Sequence, residues 1–171
     1  HLIKLRSRVR RMEKLLDDVL VYSRAGRQRH PREKVDTALL VRDIVEMLAP
    51  PPGFIVTTTD SMPTVVAERV PLETVLRNLI GNAVKHHHTP EAGQVMISAR
   101  RDGDWIEFAV ADNGPGIEPA YHQRIFEIFS TLQSRDQVEG SGIGLSVVQR
   151  TVEARGGRVW LDSDRGRGAT F

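Results

Sequence analysis

The apolar residues Leu72, Val75, Leu76, Leu79, Ile80 and Ala83 recur at helical spacing, and Asn78, Asn82 and Lys85 follow at i, i+4 and i+7 beside that stripe. A helix patterned this way packs one face on a sheet and shows the neighbouring edge to a cleft. The rest of the chain supplies the sheet. Residues 54–58 read as a strand after the helix stop Pro50-Pro51-Pro52-Gly53, and residues 95–100 and 105–111 flank Asp102-Gly103, a hairpin turn. A helix capped by Asp36 or Thr37 carries Leu40, Val41, Ile44, Val45 and Leu48, and another spans residues 143–154 before Gly156-Gly157. Extended segments at 158–162 and 169–171 close the chain. Helices and antiparallel strands mix without strict βαβ alternation, which predicts an α+β fold, a two-layer α/β sandwich.

A different kind of helix stands in front of this module. Leu2, Leu5, Val9, Met12, Leu16 and Val19 alternate spacings of three and four, the a/d seam of a coiled coil, and Leu15 and Leu20 widen it. Such a stripe needs a partner helix, so a homodimer through residues 2–23 is expected. The polar run Arg27-Gln28-Arg29-His30-Pro31-Arg32 divides the chain into a helix over 1–27, a linker over 28–34 and a second module over 35–171. Charge follows that division: residues 1–34 carry 11 Lys/Arg against 4 Asp/Glu, and residues 35–171 carry 13 against 18. No aromatic residues alternate with the basic ones, so the basic face reads as solvated and nucleic acid is not an expected partner. Cysteine is absent, which excludes disulfides and thiolate metal sites and fits a reducing, cytoplasmic setting. No run approaches the roughly 18 apolar residues of a membrane span, so no membrane contact is expected of this stretch.

Four segments carry chemistry. In "NLIGNAVKHHHTP", residues 78–90, an asparagine carbonyl is a hard oxygen ligand suited to Mg²⁺, and a lysine can meet a phosphate as a point charge. Three consecutive histidines point about 100° apart on a helix and cannot converge on one ion. A polar helix end entering the loop at Thr89-Pro90 is therefore preferred to a zinc site. "DNGPGI", residues 112–117, follows a strand: Gly114 and Gly116 permit a tight turn against a flat ligand, and Asp112 can accept from an exocyclic amine such as that of adenine. A plain turn stays open as the alternative. In "GSGIGLSVV", Gly140, Gly142 and Gly144 lead into a helix whose free N–H groups can receive an anion, in neither a Rossmann nor a P-loop pattern. "GRGATF" sets Gly166 and Gly168 before the closing strand.

In this order the motifs resemble the Bergerat ATP-binding fold over residues 35–171, and within that superfamily the sensor histidine kinases. "NLIGNAVKH" is similar to that family's N box, "DNGPGI" to its G1 box, "RIFEIF" to its F box, and "GSGIGL" and "GRGATF" to G2 and G3. "RMEKLLDDVLVYSR" resembles the second helix of the dimerisation and phosphotransfer hairpin, and the "KHHHTPEAG" wording looks closest to kinases linked to PAS or phytochrome-type sensors. The resemblance implies ATP and Mg²⁺ as cofactors, with Asn78, Asn82 and Lys85 as the catalytic group. Asn82 would ligate Mg²⁺ with Asn78 supporting it, while Lys85 and His86 face the phosphates. Asp112 would accept from the adenine amine, with Gly114 and Gly116 shaping that wall. Gly140, Gly142 and Gly144 would flank the triphosphate at the end of a mobile lid over 113–142. Phe126 and Phe129 would anchor that lid, core packing being their alternative, and Arg135 would touch the γ-phosphate. Ile117, Ser141, Leu145 and Thr170 complete the nucleotide-binding set.

Hydrolytic relatives commonly carry a glutamate one turn before the Mg-binding asparagine; here Asn78 stands there, and it is no general base. That fits a kinase acting on an imidazole. The family's acceptor pattern, His-Glu/Asp-x-Arg/Lys-x-Pro, matches none of His1, His30, His86, His87, His88 or His122. The expectation is a fragment: the ATP-binding catalytic domain with the second dimerisation helix, acting on a histidine outside this chain. The phosphoryl group would pass to the aspartate of a response-regulator receiver domain, and the chain alone would not autophosphorylate. A membrane-anchored parent is compatible with this. The alternatives are a nucleotide-gated dimeric scaffold without kinase activity and a basic coiled-coil nucleic-acid binder.

Overall fold

The computed structural model describes residues 2–130 and 141–171. Its first element, α1 (Leu2–Arg24), is the helix that the heptad spacing predicts, and Val9, Met12, Leu16, Val19 and Leu20 are exposed on it in the single chain. β1 (Arg32–Asp36) begins inside the stretch read as a linker. Its charged sequence buries Val35 alone, so it lacks the apolar run by which a strand is recognised. It pairs antiparallel with β3 (Thr64–Glu68), which sets Val35 opposite Val65. Between them lie α2 (Thr37–Leu48) and β2 (Ile55–Thr58). The Asp36 carboxylate accepts the Leu39 N–H at 3.0 Å, an N-cap worth about 1 kcal/mol.

α3 (Arg69–Lys85) starts two residues ahead of Pro71, because a proline in the first turn forfeits no intrahelical hydrogen bond. The five-stranded sheet has the order β2-β4-β5-β7-β6, with β4 (Gln94–Asp102), β5 (Trp105–Asp112), β6 (Asp162–Ser163) and β7 (Ala169–Thr170). β2 runs parallel to β4, and the remaining pairs are antiparallel. The β4–β5 hairpin turns at Gly103-Asp104 rather than Asp102-Gly103, since Asp102 pairs with Trp105 and Gly103 takes φ +59°. The extended segment expected at 158–162 enters the ladder only at its end: Asp162 faces Thr170, so positions before Leu161 face no residue up to Phe171. Period-2 alternation turns Val95, Ile97 and Ala99 inward on β4 and leaves Met96 exposed. Helices α2, α3 and α4 (Gly144–Glu153) cover the inward face. Leu40, Ile44, Leu76, Ile80, Val95, Ile97, Val110 and Val148 form that core, each 1% exposed or less. This is the expected α+β two-layer sandwich.

The segment after α1 is strapped to the C-terminal end of α4. Arg150 Nε donates to the Ala25 carbonyl at 3.0 Å, and its guanidinium lies 4.6 Å from the Tyr22 ring centroid. Arg155 Nη2 reaches Glu68 at 2.9 Å and the Gln28 carbonyl at 3.2 Å, while the His30 N–H donates to Glu68 at 2.8 Å. The Arg155 hydrogen bond holds Glu68 below its ordinary value of 4.5 despite the opposing effect of burial. A carboxylate with a depressed folded-state pKa adds stability that is present above its unfolded value and is lost as pH falls through the folded one. Urea denaturation should therefore show stability declining as pH drops below about 4.5. Glu68→Gln should lower stability at neutral pH and flatten that decline; an unchanged midpoint and slope would show that the clamp contributes nothing.

Candidate functional site

The polar edge of α3 meets the start of α4. A Cβ on Gly144, the first residue of α4, would lie 2.9 Å from Asn78 Oδ1 and 3.9 Å from Asn82 Oδ1. Asn78 Nδ2 donates to the Thr74 carbonyl at 2.7 Å, which fixes the orientation of its amide. No side chain caps α4. Its first-turn N–H groups and positive helix end thus stand beside two hard carboxamide oxygens. Gly142 precedes them at φ +71°, where a Cβ would sit 2.7 Å from the Ser130 carbonyl. Phe129, beside Ser130, holds φ +64°, a left-handed backbone that costs a non-glycine residue about 1–2 kcal/mol. Lys85 ends α3 and His86 caps it, the His86 N–H donating to the Asn82 carbonyl at 3.0 Å. His86 is exposed as a whole residue, yet desolvation, and then the Lys85 charge, moves its pKa below the ordinary 6.5.

Asp112 ends β5. Its Oδ1 accepts the Gly114 N–H at 2.8 Å and the Ala169 N–H at 3.3 Å, and among the described residues Oδ2 accepts no hydrogen bond. Burial raises its pKa above the ordinary 3.8 against the pull of those two hydrogen bonds. The 112–117 turn is knotted to the loop before β7. A Cβ on Gly116 (φ +69°) would collide with the Asp164 carbonyl, and one on Gly168 (φ +76°) with the Asp112 carbonyl. Ser163 Oγ accepts the Ile117 N–H at 2.8 Å and donates to the Gly168 carbonyl at 2.6 Å. Thr170 lies in the ladder opposite Ala111 and Asp162, next to this knot.

The histidine run divides. His86 and His88 are exposed, as a polar helix end requires, but His87 is 7% exposed and belongs to the interior. Its Nε2 lies 2.9 Å from Asn113 Oδ1, and its Nδ1 accepts the Thr89 N–H at 3.1 Å. Among the described residues no group of three or more His, Asp or Glu side chains could hold a metal ion. Sequence reasoning missed His87, Asn113 and Ser163; a histidine between two other histidines, and single polar residues in a turn or a two-residue strand, carry no periodic signal of burial.

Leu145 sits half-buried in the first turn of α4 against the core, and Ser141 is half-buried just ahead of it. In "RIFEIF" the buried residue is Ile125, whereas Phe126 meets Phe171 edge to face with centroids 6.4 Å apart and Phe129 is exposed. Arg135 and Gly140, with the middle of the stretch read as a lid, lie outside the described residues. Two cavities, of about 630 and 540 Å³, contain none of Asn78, Asn82 or Asp112. The second is lined by Trp105, Glu107 and Phe108 of β5 together with Leu72, Val75 and Phe171.

The sequence profile described as "Histidine kinase-, DNA gyrase B-, and HSP90-like ATPase" matches residues 67–171. Cyanobacterial phytochrome A of Nostoc sp. is 39% identical over 165 residues, which cover 94% of this chain and 21% of that protein. The adaptive-response sensory kinase SasA of Synechococcus elongatus is 34% identical over 175 residues, 97% of this chain and 44% of that one. Full-length ShkA, solved in complex with AMPPNP, superposes with TM-score 0.76 at 34% identity over 92% of this chain and 34% of its own. The chain thus spans less than half the length of each of these three relatives. With an asparagine-lined helix edge, a glycine-started helix and a buried strand-end aspartate in this fold, the chain belongs to the histidine kinase-, DNA gyrase B- and HSP90-like ATPase family, as an ATP-binding domain of the sensor histidine kinase type.

Proposed function

We propose that the edge shared by α3, α4 and the 112–117 turn holds Mg-ATP, and that in a longer sensor histidine kinase this domain delivers the γ-phosphoryl group to a histidine on another segment. A response-regulator receiver aspartate would then take it. The observation that carries this reading is the meeting of Asn78 and Asn82 oxygens with a helix start at Gly144 that no side chain caps, joined through the end of α3 to an aspartate whose Oδ2 has no donor among the described residues. The cradle at Gly144, which a Cβ would fill, and the hard oxygen donors beside it fit a metal-phosphate group. The AMPPNP complex of ShkA supports the same choice of ligand.

Each residue has a part. Asp112 Oδ2 accepts from the adenine amine, and Gly114, Gly116, Ile117 and Thr170 form the wall around the base. The α4 N-terminus, with Ser141, Gly142, Gly144 and Leu145, receives phosphate oxygens, and Lys85 and His86 border them. Asn82 Oδ1 ligates Mg²⁺, and Asn78 keeps the α3 edge in register through its bond to Thr74. Bound Mg²⁺ neutralises charge on the phosphate oxygens. The domain's own contribution is alignment, because no carboxylate stands where Asn78 does to activate water. Residues 2–23 form the dimer seam in the intact protein, their exposed Val9, Met12, Leu16 and Val19 packing on a second copy. Cytoplasmic placement follows from the ATP requirement; among the described residues no helix is long and apolar enough to cross a membrane.

Calorimetric titration should show Asp112→Ala binding ATP about tenfold to a hundredfold more weakly in a folded chain, since a buried acceptor is lost. Unchanged affinity would remove the adenine assignment. ATP affinity of the unsubstituted chain should also fall with acid, and begin to fall above pH 3.8, because Asp112 is protonated earlier than an ordinary aspartate. Asn82→Ala should weaken binding selectively when Mg²⁺ is present; equal losses with and without the ion would rule out a ligand role. Incubated with γ-labelled ATP and Mg²⁺, the chain should gain no phosphohistidine, and acid-labile label mapped to His86, His87 or His88 would overturn the reading that the acceptor lies elsewhere.

A further inference from the structure

Two backbone N–H groups fix the chemistry of His87, because a main-chain amide can only donate. The Thr89 N–H points at Nδ1 (3.1 Å), so that nitrogen carries a lone pair, and the ring hydrogen sits on Nε2, where it donates to Asn113 Oδ1 at 2.9 Å. The Gln94 N–H donates to the same Asn113 oxygen at 2.7 Å, which sets the amide orientation and turns Nδ2 to the Ala92 carbonyl at 3.1 Å. Asn113 is the residue after Asp112, and its own N–H is held by the Gln94 carbonyl at 3.2 Å. The His87 ring also backs the turn: a Cβ on Gly114 would lie 3.5 Å from its Cδ2. Phe54 meets the ring edge to face at a centroid distance of 5.5 Å, and His88 stacks on it at 5.1 Å, so the ring is held on several sides.

We infer that His87 is a positioning residue for base recognition, a neutral Nε2–H imidazole that pins Asn113 and thereby holds the Asp112 carboxylate at the angle that selects an amino-purine nucleotide. This rests on the reading of Asp112 as acceptor for the adenine amine. A histidine suits the place because one planar ring donates on one side and accepts on the other, bridging the end of α3 to the strand end within the core. It also explains why the middle histidine of three is buried while its neighbours are not.

The test compares ATP with inosine triphosphate, which carries a carbonyl where ATP carries the amine, on the full 171-residue chain. The unsubstituted chain should prefer ATP. His87→Phe keeps a ring against Phe54 but loses both hydrogen bonds, and should weaken ATP about tenfold while leaving the inosine nucleotide within about threefold, so the preference narrows. Asn113→Ala should narrow it likewise, and the double variant should lose no more than the larger single effect. A folded His87→Phe chain that weakens both nucleotides equally, or neither, overturns the proposal. If the unsubstituted chain shows no preference, the Asp112 assignment itself fails, whatever His87 does. Should His87→Phe not fold, nitrogen NMR of the unsubstituted chain decides: a pyridine-type Nδ1 with a protonated Nε2 supports the role, and a protonated Nδ1 overturns it.

Discussion

The contact on which the most depends is the one between the first residue of α4 and the asparagines of α3. Gly144 lets α4 begin where any Cβ would press on the Asn78 oxygen at 2.9 Å, and Asn78 cannot swing aside without breaking its 2.7 Å bond to Thr74. The helix therefore starts with its amides beside the polar edge of its neighbour. Apolar packing makes this affordable in structural terms: Leu76, Leu79 and Ile80 of α3 and Val148 of α4 share one core, which draws the two helices together along their inward faces. The site is the polar margin of that interface.

The second half of the site depends on backbone approach rather than on side chains. Gly116 and Gly168 are placed where the 112–117 turn and the loop before β7 touch, and Ser163 bridges them through one hydroxyl. Asp112 is thus fixed by its neighbours' main chain through Oδ1, and among the described residues nothing donates to Oδ2. The same helix that begins at the asparagines ends at the strap: Arg150 and Arg155 hold residues 25 and 28, and Glu68 joins them from the end of β3. At about 1.5 Å of rise per residue, the ten residues of α4 put roughly 15 Å between these two duties.

Much of this was legible beforehand, for identifiable reasons. Helices α2, α3 and α4 have strong 3.6-residue stripes, the β4–β5 hairpin has clean alternation around a glycine turn, and Asp112, Asn78 and Asn82 stand in motifs whose order is distinctive. β1 was illegible because its charged REKVD run buries Val35 alone, and β3 because its five residues, TVVAE, bury only Val65 and are too short to show a clear alternation. The strap was illegible because its partners are main-chain carbonyls of Ala25, Gln28 and Ala154, which leave no trace in residue type. His87 was misread with its neighbours, since only tertiary contact with Asn113 and Phe54 distinguishes it. Motif spacing marked the residues of this edge; what fixes them in place comes from contacts distant in sequence.

The central claim is that three separate motifs make one nucleotide site on the margin between α3 and α4. Amide-resolved NMR titration of the chain with AMPPNP and Mg²⁺ tests it directly. The account predicts that the backbone signals of Gly114, Gly116, Gly144 and Leu145 and the side-chain amides of Asn78 and Asn82 respond together, with one dissociation constant. Responses confined to the cavity around Trp105 and Trp160, with those six residues silent, would contradict it.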